Sequence, residues 1–114
     1  MITNVVGVTF SNDDGKNRQS IISALNTLGE IYPGRRLNLE REPTNEFDKN
    51  AIAVLGPYDH KLGYIQKDLA AKLAPLMDQY HEIRAEVVEL LGNGDDFTYG
   101  LRIRITDELL HINY

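Results

Sequence analysis

Between residues 41 and 54 the chain reads REPTNEFDKNAIAV, a loop carrying Pro43, two asparagines, three carboxylates and one aromatic ring that turns abruptly into an apolar run. Asn45, Glu46, Asp48 and Asn50 offer oxygen ligands, but the loop lacks the central glycine and distal glutamate of a calcium-binding loop. His60, His81 and His111 stand twenty-one and thirty residues apart, without the short spacings of a zinc site. The glycines of GNGDD, residues 92–96, sit beside Asp95 and Asp96, which repel a phosphate rather than cradle it. Ser11, Ser20 and Ser23 have no nucleophile-elbow context. With no cysteine there is no thiol nucleophile, thiolate metal site or disulfide. These residues lead us to expect no metal, no cofactor and no catalysis.

The loop must be held by the elements around it. ITNVVGVTF, residues 2–10, is β-branched and aromatic and reads as a strand, which SNDDG then stops. From Asn17, Ile21, Ile22, Ala24, Leu25 and Leu28 follow the spacing of a helix with one buried stripe, and Gly29 lies where such a helix is capped. Leu37 and Leu39 alternate with Asn38 and Glu40 in a half-buried strand. After the loop, AIAVL is a short buried strand and KLGYI its hairpin partner. Residues 67–80 read as a helix with Leu69, Leu73, Leu76 and Met77 inward, shortened or kinked at Pro75. EIRAEVVELL and FTYGLRIRI alternate across GNGDD as a closing hairpin. The order β, α, β, β, β, α, β, β lacks the alternation of a doubly wound sheet and suits a small curled α+β barrel or sandwich with two helices.

At 114 residues, one domain spanning 1–114 is expected. The N-terminus does not resemble a signal peptide and no run is long enough to span a membrane, so a cytoplasmic protein is expected. The net charge of −5 opposes a polyanion at long range. Its distribution is uneven: residues 1–72 hold nine Lys/Arg against nine Asp/Glu, and residues 73–114 hold three against eight. A local basic rim therefore remains open to the N-terminal part, with Lys16, Arg18, Arg35, Arg36, Arg41, Lys49, Lys61 and Lys67 as candidates. A solvated mixed-charge face accounts for the same residues.

VVGVTF near the start, NRQSII, LNLEREPTNEFDKNAIAV and LGYIQKDLAAKLAPLM together resemble the HIRAN domain over roughly residues 5–88. This family occurs alone in bacteria and fused to helicase-like chromatin and repair proteins. The resemblance implies a variant oligonucleotide-binding (OB) barrel of about six strands with two helices. It also implies a nucleic-acid-binding module in DNA repair or processing, since a well-understood member grips the 3′ end of single-stranded DNA through its free hydroxyl. Carried to this chain, it makes Phe10, Phe47 and Tyr64 the base-stacking candidates. Asp48 becomes the acceptor of a terminal 3′-hydroxyl and Asn45 a partner of the neighbouring sugar or phosphate. Arg41, Lys49 and Lys67 are then candidates for neutralising the backbone.

The chain departs from that member in ways that bear on binding. Thr9 and Phe10 stand where it has an Arg-Tyr pair, Phe47 replaces a tyrosine and Tyr64 a histidine. Stacking survives these exchanges and several hydrogen bonds do not, so weaker or less end-selective binding is expected. Phe10 and Phe47 are equally at home in a small core, Asp48 and Asn50 could serve only loop amides, and Arg41 could pair with Glu42. The alternative function is an accessory domain that positions a helicase or nuclease through acidic residues 78–108, without touching DNA.

Overall fold

The computed structural model describes residues 1–92, 98–109 and 112–113. Along them run β1 (Ile2–Asn4), α1 (Arg18–Thr27), β2 (Arg36–Arg41), β3 (Ile52–Leu55), β4 (Lys61–Tyr64), α2 (Lys67–Asp78), β5 (Ile83–Leu91), β6 (Gly100–Asp107) and the short β7 (Ile112–Asn113). The main sheet follows β1-β6-β5-β2-β3-β4 with antiparallel neighbours, and β7 pairs with β6. This is the expected small OB-like barrel of six strands with two helices. Ile112 and Asn113 therefore pair with β6 of their own chain. Residues 93–97 of the expected closing loop, with Asp95 and Asp96, lie outside the described residues, as does His111.

The barrel closes through one residue. The amide of Val5 donates to the Leu101 carbonyl on β6, while Val6 exchanges two 2.9 Å bonds with Tyr64 on β4. The chain thus changes partner between adjacent residues and joins the two ends of the sheet. Gly63 permits this, because a Cβ there would lie 2.4 Å from the Val6 carbonyl oxygen. Immediately afterwards Gly7 adopts φ +73° and turns the chain away. The strand expected over residues 2–10 is therefore cut to Ile2–Asn4. Residues 2–6 pair as β-structure, and the turn at Gly7 replaces the expected strand over residues 8–10.

Helix α1 starts where Asn17 accepts a hydrogen bond from the Ser20 amide and ends before Gly29 at φ +74°. Its inward face is Arg18, Ile22 and Leu25, while Ala24 and Leu28 of the expected stripe are exposed. In α2, Leu69, Ala70, Leu73 and Ala74 are buried and Leu76 and Met77 partly so. The helix continues past Pro75 to Asp78, with Pro75 on its exposed side. Both helices pack on a core built from the inward residues Leu37, Ile52, Val54, Leu62, Ala85, Val87, Leu101, Ile103 and Ile105. On the outer face of β5 and β6, Glu86 pairs with Arg104, Glu89 with Arg102, and Arg84 with Glu108.

Candidate functional site

Around the barrel closure, three segments meet. The turn at residues 7–10 brings Phe10 beside Gly7: a Cβ on Gly7 would lie 3.6 Å from the Phe10 ring, 3.1 Å from Arg18 Nη1 and 4.0 Å from the Tyr64 ring. Helix α1 is pinned here through Gln19, whose side chain donates to the carbonyls of Val8 and Tyr99 and accepts from the Tyr99 amide. The Asn-Arg-Gln run is thus a helix cap, a side chain delivered to the site and a staple in succession.

Arg18 is only 6% exposed. Its Nε donates to Asn12 Oδ1 and its Nη1 to the Gly7 carbonyl, both at 2.8 Å, and its guanidinium lies 5.2 Å from the Tyr64 ring centre. Tyr64 also stands 5.1 Å from Lys61 Nζ, and its hydroxyl accepts from Lys61 at 3.0 Å while donating to Glu42 Oε1 at 2.9 Å. Glu42 completes the circuit: its other oxygen is 2.6 Å from Lys61 Nζ, and Oε1 accepts from Asn45 Nδ2. Burial works against charge on Glu42, but hydrogen bonds from Lys61, Asn45 and Tyr64 outweigh it and hold the carboxyl below its ordinary range. Burial likewise works against charge on Lys61, and its bonds to Glu42 and Tyr64 outweigh that, raising its pKa.

The network continues into the loop. Asn45 Oδ1 accepts from the amides of Phe47 and Asp48, and Asp48 Oδ1 accepts from the Asn50 amide. Such Asx contacts fix a turn from within. The turn leaves Phe47 88% exposed and Phe10 67% exposed. Neither phenylalanine belongs to the core. Asp48 is half-buried, and its Oδ2 has no partner among the described residues.

The structure places the remaining expected residues differently. Arg41 grips Asp78 with Nε and Nη2 and donates through Nη1 to the carbonyls of Lys49 and Ala51. It ties the end of the loop to α2, and the suggested Arg41–Glu42 pair is replaced by Arg41–Asp78 and Lys61–Glu42. Arg41 holds Asp78 below its ordinary value through that hydrogen bond. Asn45 spends its carbonyl oxygen on loop amides and one amide proton on Glu42. Tyr64 is partly covered by Arg18 and Lys61. Lys49 and Lys67 are exposed.

Sequence reading missed Arg18, Glu42 and Lys61 as members of one cluster. In the sequence Arg18 and Lys61 are two of eight candidates for a local basic rim, and the signal that joins them, Tyr64 between two cations, exists only across elements.

Comparisons with known proteins bear on the family and the fold. The HIRAN domain model matches residues 2–108. The chain is 38% identical over 89 residues, 78% of its length, to the helicase-like transcription factor of Oryctolagus cuniculus. It is 33% identical over 75 residues, 64% of its length, to the Fanconi-associated nuclease 1 homolog of Arabidopsis thaliana. It spans only 9% and 8% of those relatives. The crystal structure of the HIRAN domain of human HLTF superposes with a TM-score of 0.61 at 27% identity, covering 90% of this chain and 71% of that one. A crystal structure of a protein from Lactobacillus plantarum gives 0.63 at 28% identity, covering 91% and 90%. A fold closed at Gly63 and a loop built as Arg-Glu-Pro-x-Asn-x-Phe-Asp-x-Asn meet in a match over nearly the whole chain: it belongs to the HIRAN domain family.

Proposed function

We propose that this chain is a DNA-binding module that takes the free 3′ end of a single strand, without chemistry of its own. The observation that carries the reading is the pair of exposed rings, Phe10 and Phe47, on a hydrogen-bonded scaffold that leaves them little freedom to collapse inward. An aromatic face presented in this way accepts any base, contributing about 1–3 kcal/mol per base. The Asp48 carboxylate repels phosphate but accepts a hydroxyl through Oδ2, which suits a terminal sugar. Lys49 and Lys67 flank the loop and α2 as cations for the preceding backbone. Arg41 and Asn45 act by holding the loop, and Tyr64 by backing the cationic side of the site. The names of the relatives, a helicase-like factor and a nuclease homologue, support a place in DNA repair or processing beside such an enzyme.

The test is fluorescence anisotropy at low salt with 5′-labelled single strands ending in a 3′-hydroxyl or a 3′-phosphate, using the wild type and Asp48→Ala. Tighter binding of the hydroxyl end, lost in the variant, is expected. Equal binding of both ends retires end recognition and keeps the nucleic-acid module. The absence of binding at any salt favours the accessory-domain alternative, whose acidic surface is weakened by the pairing of Asp78, Glu86, Glu89 and Glu108 with arginines.

A further inference from the structure

A guanidinium removed from water needs compensation, and a buried cation ordinarily finds a carboxylate. Arg18 does not: its hydrogen bonds go to the neutral Asn12 amide and Gly7 carbonyl, and its face meets the Tyr64 ring. The carboxylate of the network, Glu42, is already bound by Lys61, Asn45 and the Tyr64 hydroxyl. With Lys61 and Glu42 cancelling, the cluster keeps one positive charge. The Nη2 of Arg18 has no hydrogen-bond partner among the described residues and is not fully buried. Two planar bonds, to Nε and Nη1, lock the guanidinium and aim that remaining edge. Phe10 lies at the same spot, against Gly7.

We infer that Arg18 is the seat of a phosphate group, presenting its Nη2 edge to the internucleotide phosphate next to the base stacked on Phe10. The inference rests on the nucleic-acid reading for the identity of the ligand; the missing counter-charge stands apart from it. A phosphodiester supplies what the cluster lacks, an anion with oxygens able to meet a fixed guanidinium. It also reconciles binding of a polyanion with an acidic chain, because the useful charge is held locally.

The experiment is a double-variant cycle. Short single strands carrying a neutral methylphosphonate at one internucleotide position in turn are compared with the all-phosphate strand, on wild type and Arg18→Gln. At one position the wild type should lose about tenfold in affinity, and Arg18→Gln should lose no more on the same substitution. Its salt dependence should also fall by about 0.7 in log Kd per log salt, the share of one phosphate on a single strand. If Arg18→Gln responds to every methylphosphonate as the wild type does, the inference is overturned. Should that variant fail to fold, the Arg18 Nε–H resonance of the wild type decides: a different shift with phosphate and methylphosphonate strands supports the seat, and identical shifts overturn it. If the wild type binds no strand, the functional reading fails alone, and inorganic phosphate titrated against the same resonance tests Arg18: a saturable shift supports the seat and none overturns it.

Discussion

Phe47 costs the fold surface without giving it packing, since it is almost fully exposed on a loop whose backbone is fixed by Asn45. Phe47→Ala should leave stability within about 0.5 kcal/mol of wild type, as surface substitutions do. Its affinity for single strands should fall by about 1–3 kcal/mol, the usual share of a stacked base. Urea unfolding and anisotropy on the same preparation check both halves. Glu42 behaves oppositely, as a hub whose removal leaves Lys61 and the Tyr64 hydroxyl without their acceptor. Glu42→Gln should cost about 1.5–3 kcal/mol at pH 7, the range for hydrogen bonds to charged groups. Because its folded pKa lies below the ordinary 4.5, that stability is complete above this value and is lost as pH falls through the folded one. Lys61, raised above 10.5, contributes fully below that value and loses its contribution as pH climbs through the folded one. Wild type and Glu42→Gln should therefore differ in urea at neutral pH and converge as the pH falls below the lowered pKa of folded Glu42. The exposed loop side chains were legible in the sequence, because Asn45 to Asn50 interact locally. Glu42, Lys61 and Tyr64 were not legible as one cluster, since Glu42 reaches Tyr64 from the loop that follows β2, twenty-two residues away.

The site exists because two elements end where they do. Propensity alone would carry the first strand to Phe10, yet Val6 has already paired with Tyr64 and Gly7 turns the chain outward, placing Phe10 beside Arg18. Gly63 makes that exchange sterically possible, and its role is invisible to hydrophobic periodicity because it depends on what crosses above it. Gly63→Ala would drive a methyl within 2.4 Å of the Val6 carbonyl oxygen and 2.6 Å of Val5 Cγ1. A cost of about 1–3 kcal/mol is expected from such overpacking, together with faster amide exchange at Val6 and Tyr64. Gly100→Ala supplies the contrast, since its nearest neighbour is Leu91 Cβ at 3.4 Å. It should unfold within about 1 kcal/mol of wild type, and equal losses in the two variants would remove the special role of the closure. Helix α1 shows the same limit of pattern reading: its stripe located the buried Ile22 and Leu25 but also included the exposed Ala24 and Leu28 and left out Arg18. An arginine on the inward face is chosen by the Gly7 carbonyl and the Tyr64 ring it meets, neither of which is on its helix.

Across the whole molecule, charge decides how much of a nucleic acid can be held. The chain carries −5, and Arg104 and Arg102 of β6 are spent on Glu86 and Glu89 of β5, as is Arg84 of β5 on Glu108 just past β6, so these arginines offer no free basic track. The element order was legible from alternation and turns, and the resemblance to a family chose barrel over sandwich, whereas this pairing of acids was not legible, because strand register sets it. The groups proposed to hold a strand are gathered at the barrel closure and the neighbouring loop, with Phe10, Arg18, Phe47 and Asp48 joined by one hydrogen-bonded and stacked network. A compact site of this kind saturates early. In a series of single strands of increasing length with a 3′-hydroxyl, affinity should rise to about four nucleotides, the lower end of site sizes on barrels of this type, and then stay level. Salt should weaken that plateau gently, since each neutralised phosphate adds only about 0.7 to the slope. An affinity that kept rising with length would require a second contact surface beyond Phe10, Arg18, Phe47, Asp48 and the exposed cations Lys49 and Lys67.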